Sequence, residues 1–201
     1  GFIEEVRRAL EDPSADLENF HELSIVRSCV LLARLHETEK LVKFLLDIRP
    51  IFITMPSSRA IELVSIGFDS LKKIPNTNGN QSLLFFGYVN WCSKENLLPL
   101  RQNILARQAN LFLEAGRPQK ALNLVGTLRK EASMLSSKSF VAEIDLLESR
   151  IHYALQDFAQ AKSFFQVAQH TAEALEPGPS LQANLDLHGG KLAMDEDDLS
   201  A

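Results

Sequence analysis

The chain has 201 residues, 45% of them hydrophobic, and a formal charge of −5 with acidic and basic side chains interspersed along its length. That apolar fraction lies well above the disordered range, and the length can bury a sizeable core. No Lys/Arg cluster forms a phosphate-binding stripe, and no apolar run reaches membrane-spanning length or opens the chain as a signal peptide, so neither nucleic acid nor membrane is expected as a partner.

Leu, Ala, Glu, Lys, Gln and Ser dominate, which favours helix. Taken in chain order, "ARLHETEKLVKFLL" (Ala33 to Leu46) reads as helix, short turn, helix, and Pro50 stops the second arm. Ile61, Val64, Phe68 and Leu71 mark the next helix. Pro75 ends it, and "LKKIPNTNGNQSLLFF" reads as a longer polar turn. Leu84, Tyr88 and Trp91 then share helical spacing. That makes core packing the better reading of Phe85, Tyr88 and Trp91 than an aromatic binding box.

"AGRPQKAL" (Ala115 to Leu122) is the inside corner of a helical hairpin. Gly116 suits the left-handed residue that closes one helix, and Pro118 the first turn of the next. The corner returns. Ala121, Val125, Leu128, Ala132 and Leu135 form one helix face, and the positions 40 later are Ala161, Phe165, Ala168, Ala172 and Leu175, in the same register. On the preceding arm Leu100, Ile104, Leu111 and Ala115 map onto Phe140, Ile144, Ile151 and Leu155. "PGP" at Pro177 to Pro179 breaks the chain before a last helix, and "DEDD" at Asp195 to Asp198 reads as a solvated turn. Turns therefore fall near positions 36, 76, 116, 156 and 196. The expected fold is all-α: a right-handed α-solenoid of TPR-like helical hairpins with a period of about 40 residues, as one domain over residues 1–201.

Chemistry-bearing motifs are missing. His21, His36, His152, His170 and His188 are dispersed without metal-ligand spacing, and there is no GxSxG elbow, P-loop or GxGxxG. "HGGK" at His188 to Lys191 lacks a preceding strand, and a helix contact needing small residues is the better reading. Cys29 and Cys92 lack CxxC neighbours and read as small buried hydrophobes in a reducing compartment. Asn103, Arg107 and Asn110 lie on one hairpin, but no matching set on its neighbours completes a carboxylate clamp. No catalytic residue, cofactor or metal is expected.

Several separated segments carry a family likeness. "LLDIRPIF" from Leu45, "NWCSKENLLPLRQNILARQANLFLEAGRPQKAL" from Asn90, "VAEIDLLESRIHYAL" from Val141 and "LQANLDL" from Leu181 occur in order. Together they resemble the N-terminal helical-repeat region of the proteasome lid subunit family called non-ATPase regulatory subunit eleven. His152-Tyr153 and Gly189-Gly190 depart from that family's usual Tyr-His and Ser-Gly, and Gly189-Gly190-Lys191 is closer to a related subunit of the COP9 signalosome.

The resemblance implies a non-enzymatic scaffold arm. It would clamp the regulatory particle to the core α-ring and the ATPase ring, with core α-subunits, regulatory-particle ATPases and other lid subunits as partners, in cytoplasm and nucleus. The alternatives are the signalosome paralogue and a TPR-type peptide-binding adaptor. The chain opens without Met and stops after a turn signal, which reads as a fragment lacking the family's C-terminal PCI module. A cut solenoid end would expose apolar surface and self-associate. The resemblance places the far end of the arm at Phe2 to Leu71, where Arg7, Arg8, Lys40 and Lys43 are the candidate partner-binding residues.

Overall fold

The computed structural model describes residues 17–135, 137–174 and 178–200. Among them every regular element is helical: α1 (Leu17–Arg34), α2 (Thr38–Asp47), a short 3-10 helix (Arg49–Ile53), α3 (Ser57–Lys72), α4 (Asn78–Lys94), α5 (Leu98–Glu114), α6 (Pro118–Leu135), α7 (Lys138–Ala154), α8 (Phe158–Glu173) and α9 (Pro179–Ser200). The all-α expectation holds, and no helix of the described residues is long and apolar enough to cross a membrane.

Tight corners join these helices. Gly116 is left-handed at φ +67°, and so are His36, Asn76, Asn96 and Gln156 at φ 55–64°. At four of the five the next amide reaches back five residues: Glu37 to Leu32, Leu97 to Cys92, Arg117 to Phe112 and Asp157 to His152, at 2.8–3.0 Å. That bond satisfies a carbonyl left open at the end of each helix. At Asn76 a side chain does the work, as Thr77 Oγ1 donates to the carbonyls of Ile74 (3.0 Å) and Leu71 (3.3 Å).

Two expectations fail. Residues 195–200 continue α9, so there is no turn near 196: no Gly or Pro follows Gly190, and a run of carboxylates solvates a helix as readily as a turn. The polar turn after α3 is only residues 73–77, and Gly79 and Asn80 already belong to the first turn of α4.

The chain forms two compact units that meet between Arg101 and Gln102 of α5. In the first, α1 packs on α2 and α3, α2 on α3 and α4, and α3 on α4. Its core is aromatic. Phe68 lies 4.5 Å from Phe85 and 5.5 Å from Tyr88 between ring centres, and the buried Tyr88 hydroxyl donates to the Leu45 carbonyl at 2.6 Å. These contacts make Phe85 and Tyr88 core residues. Arg49 binds the 3-10 helix to α4 by donating to the Gly87 carbonyl at 3.1 Å, with its guanidinium 5.9 Å from the Trp91 ring centre.

In the second unit, α7 packs on α6, α8 and α9, and α8 on α9. The faces read from the sequence turn inward: Ala121, Val125, Leu128, Ala132, Ile144, Ile151, Ala161, Ala168 and Ala172 are all buried. The Leu135 side chain, Leu175 and Pro177 lie outside the described residues. Ala115 is exposed, because α5 ends one residue before it.

Left-handed backbone costs a residue with a Cβ about 1–2 kcal/mol, whereas Gly adopts it freely. Gly116→Val should therefore lower the unfolding free energy by about 1–2 kcal/mol. Gln156→Gly should raise it by about 0.5 kcal/mol, since the relief of strain outweighs the entropy Gly loses on folding. Urea unfolding midpoints at constant slope measure both.

Candidate interaction surface

Of the sequence-predicted contact residues, Arg7 and Arg8 lie outside the described residues. Lys40 and Lys43 sit one turn apart on α2 and both are exposed. Lys40 pairs with Glu37 at 3.0 Å, an exposed contact worth a few tenths of a kcal/mol, so its ammonium remains easy to recruit. Asn110 is engaged internally: its amide donates to the Ala106 carbonyl at 3.2 Å and its oxygen accepts from Arg150 at 3.1 Å. Asn110 thus serves the packing of helices and leaves no free clamp at that position.

The sequence reading missed the apolar surface. On α4, Leu83 and Phe86 are 56% and 71% exposed although Leu84, Phe85 and Tyr88 beside them are buried. The signal was available in "LLFF", since four consecutive apolar residues on a helix span more than the face that a neighbour can cover. Leu31 and Leu35 at the end of α1, and Ile51 and Ile53 of the 3-10 helix, are exposed as well. Single exposed apolar side chains are ordinary on a folded surface; Leu83 and Phe86, three residues apart on one helix, are the pair among these that share a face.

The reactive side chains are committed elsewhere. Burial pushes the Cys29 and Cys92 thiols up to about 12, leaving them protonated and inert as nucleophiles. Ser149 Oγ lies 2.8 Å from His188 Nε2, which looks like a nucleophile–base pair, but Ser149 already donates its only proton to the Ala161 carbonyl at 2.6 Å. His188 Nε2 must then carry a hydrogen and donate to Ser149, the reverse of what activation requires. Desolvation, with the Arg150 and Lys191 charges adding to it, lowers the His188 pKa to about 4 and keeps the ring neutral. Its role is to tie α9 to α7.

Arg129 of α6 ties three helices. It binds Asp145 and, with Nε at 2.7 Å, Glu148, both on α7 and both buried. Its guanidinium also lies 4.9 Å from the ring centre of Phe164 on α8. In the first unit Arg59 of α3 likewise pairs with Glu22 of α1 and with Glu62 at 2.9 Å. Among the described residues no three His, Cys, Asp or Glu side chains converge to hold a metal.

Helices joined in hairpins by tight corners, with inward polar groups spent on helix–helix contacts, define an all-α helical-hairpin protein. The comparisons narrow the class. Residues 3–115 match the model of the 26S proteasome regulatory subunit RPN6 N-terminal domain, and the chain belongs to that family. It is 35% identical to the 26S proteasome non-ATPase regulatory subunit 11 homolog of Arabidopsis thaliana, across 95% of the chain and 46% of that relative. It is 31% identical to the probable 26S proteasome regulatory subunit rpn-6.1 of Caenorhabditis elegans, across 88% of the chain and 41% of the relative. With the 26S proteasome regulatory subunit RPN6 of Saccharomyces cerevisiae it shares 21%, across 90% and 42%. The chain spans a little under half the length of these curated relatives.

Two internal contacts give measurable expectations. Arg129→Met leaves Asp145 and Glu148 buried without a counter-charge and should destabilise by about 2–4 kcal/mol, the half-exposed Arg129 keeping the loss below the fully buried limit. Adding Asp145→Asn and Glu148→Gln should recover part of it. His188 binds its proton less readily folded than unfolded, so its contribution is complete above about pH 6.5 and is lost as pH falls through about 4. Unfolding free energy should drop by up to about 3 kcal/mol across that window on this account. His188→Gln, which keeps a donor for Ser149, should flatten that part of the profile.

Proposed function

We propose that the chain is part of a non-catalytic scaffold subunit of the proteasome regulatory-particle lid. It would help to clamp the regulatory particle to the core α-ring and the ATPase ring in ubiquitin-dependent proteolysis. The observation that carries this reading is the family match over residues 3–115, supported by relatives whose names are those of 26S proteasome regulatory subunits. The physical character of the chain fits the role. Helical hairpins present broad outward faces, and binding through many points needs no cofactor and no activated nucleophile.

Partners in this reading are core α-subunits, ATPases and other lid subunits, encountered in the cytoplasm and nucleus. The contact surface is the exposed set on the segment that carries the family match: Leu83 and Phe86 of α4, with Lys40 and Lys43 of α2 supplying charge. Apolar side chains provide most of the affinity in such a surface, while the lysines set orientation and on-rate.

Affinity capture of the protein from its own cells, followed by mass spectrometry, tests the assignment. Core α-subunits and ATPase subunits are expected; cullins and signalosome subunits without the core would contradict it. Leu83→Asp with Phe86→Asp should cut the recovered core by about tenfold or more, each tenfold being about 1.4 kcal/mol of binding. Circular dichroism should be unchanged, because both side chains are exposed. Undiminished recovery would remove α4 from the contact.

A further inference from the structure

The face of α9 opposite its buried side is apolar. Leu181, Leu185 and His188 hold the helix against α7 and α8, and all three are buried. Ala183, Leu187, Gly190 and Met194 follow the spacing i, i+4, i+7 and i+11, which puts them together on the other side. All four are exposed, Leu187 at 63% and Met194 at 72%. Gly190 lies in the middle of this stripe. A Cβ there would meet nothing within 4 Å, so no neighbour among the described residues explains a residue that costs a helix about 1 kcal/mol relative to alanine. Glycine supplies bare backbone, which lets an incoming helix approach closely between two large side chains.

Charge is a separate observation. The Ser149–His188 contact of 2.8 Å brings α7 and α9 side by side at this level. Beside it stand Arg150 on α7 and, three positions after His188, Lys191 on α9. Both charges act on His188. Lys191 is exposed and Arg150 half-buried, and among the described residues no carboxylate pairs with either. Arg150 spends one N–H on the neutral Asn110 oxygen at 3.1 Å, which holds its guanidinium in place with donors to spare. On the far flank of the stripe, Asp186 is engaged by Gln182 at 2.8 Å. The helix runs on through Asp195, Glu196, Asp197 and Asp198, so the charge along α9 changes sign one turn beyond Lys191.

We propose that this face of α9, with Arg150 beside it, docks an amphipathic helix of another protein. The apolar residues of that helix recur at i, i+3 or i+4 and i+7 and pack over Leu187, Gly190 and Met194. Its carboxylates meet Arg150 and Lys191, and a Lys or Arg further along meets the acidic turn. Apolar burial supplies the affinity of such a contact, while the change of sign along it fixes the direction in which the partner lies. The inference goes beyond the lid assignment and does not depend on it.

Photo-crosslinking tests it, with Leu187→p-benzoylphenylalanine in the protein expressed in its own cells and sequencing of the cross-linked peptide. The captured segment should belong to a different protein, show helical apolar spacing and carry Asp or Glu beside its apolar residues. Lys191→Glu with Arg150→Gln, which keeps a donor for Asn110, should cut the yield at least tenfold. Exchanging the captured segment's carboxylates for Lys should restore it. Gly190→Gln should cut the yield as far without lowering Tm, since Gln is the better helix former and meets no neighbour. No cross-link, a cross-link within the chain or to a second copy, a captured segment without that pattern, or a yield indifferent to these substitutions would each overturn the proposal.

Discussion

Every helix in an array of hairpins ends in carbonyls that no longer have amide donors, and each end has to be satisfied within two or three residues if the next helix is to fold back. A single left-handed residue does this at His36, Asn96, Gly116 and Gln156, each followed by an amide that reaches back five positions. Only one of the four is glycine. Gln156 accepts a backbone strain of about 1–2 kcal/mol, and His36 and Asn96, types enriched in this region, accept less, a cost offset by what the fold-back brings into contact. Without these corners the apolar faces would have no fixed partner, and helices of this length are marginal in water without one.

Once the corners are closed, packing follows. Small residues at Ala121, Ala161, Ala168 and Ala172 bring helices close, and larger ones such as Phe68, Phe85 and Tyr88 fill the wider gaps of the first unit. Polar groups caught in these contacts are satisfied across helices: Tyr88 to Leu45, Ser149 to Ala161, and Arg129 to Asp145 and Glu148. Side chains that would supply chemistry in another setting act here as fasteners.

Much of this was legible in the sequence. Gly116 and Pro118 announced their corner by residue type, and the spacing from Ala121 to Ala132 returned intact from Ala161 to Ala172. Gln156 could be placed only by its spacing from Gly116, because its residue type does not favour the conformation it adopts, whereas histidine is enriched there and His36 lacked only a glycine or proline beside it. Asn96 was passed over because it falls midway between the turns the spacing suggested. The acidic run at Asp195 misled, since charge density resembles a turn while nothing there breaks a helix. Arg129 and its carboxylates lie 16 and 19 residues apart, a pairing that depends on how α6 meets α7 and has no local signature. The exposed Leu83 and Phe86 were readable in principle, had the inward face of α4 been subtracted from its four apolar residues.

Native-state hydrogen exchange at the amides of Glu37, Leu97, Arg117 and Asp157 tests the corners most directly. Each follows the left-handed residue in what would otherwise be an exposed loop, and each donates to a carbonyl five residues back. All four should exchange about a hundredfold or more slowly than unstructured amides, in step with the helices they close. Exchange at unprotected rates, with the flanking helices still protected, would show that the corners are open and that something else sets the packing of the array.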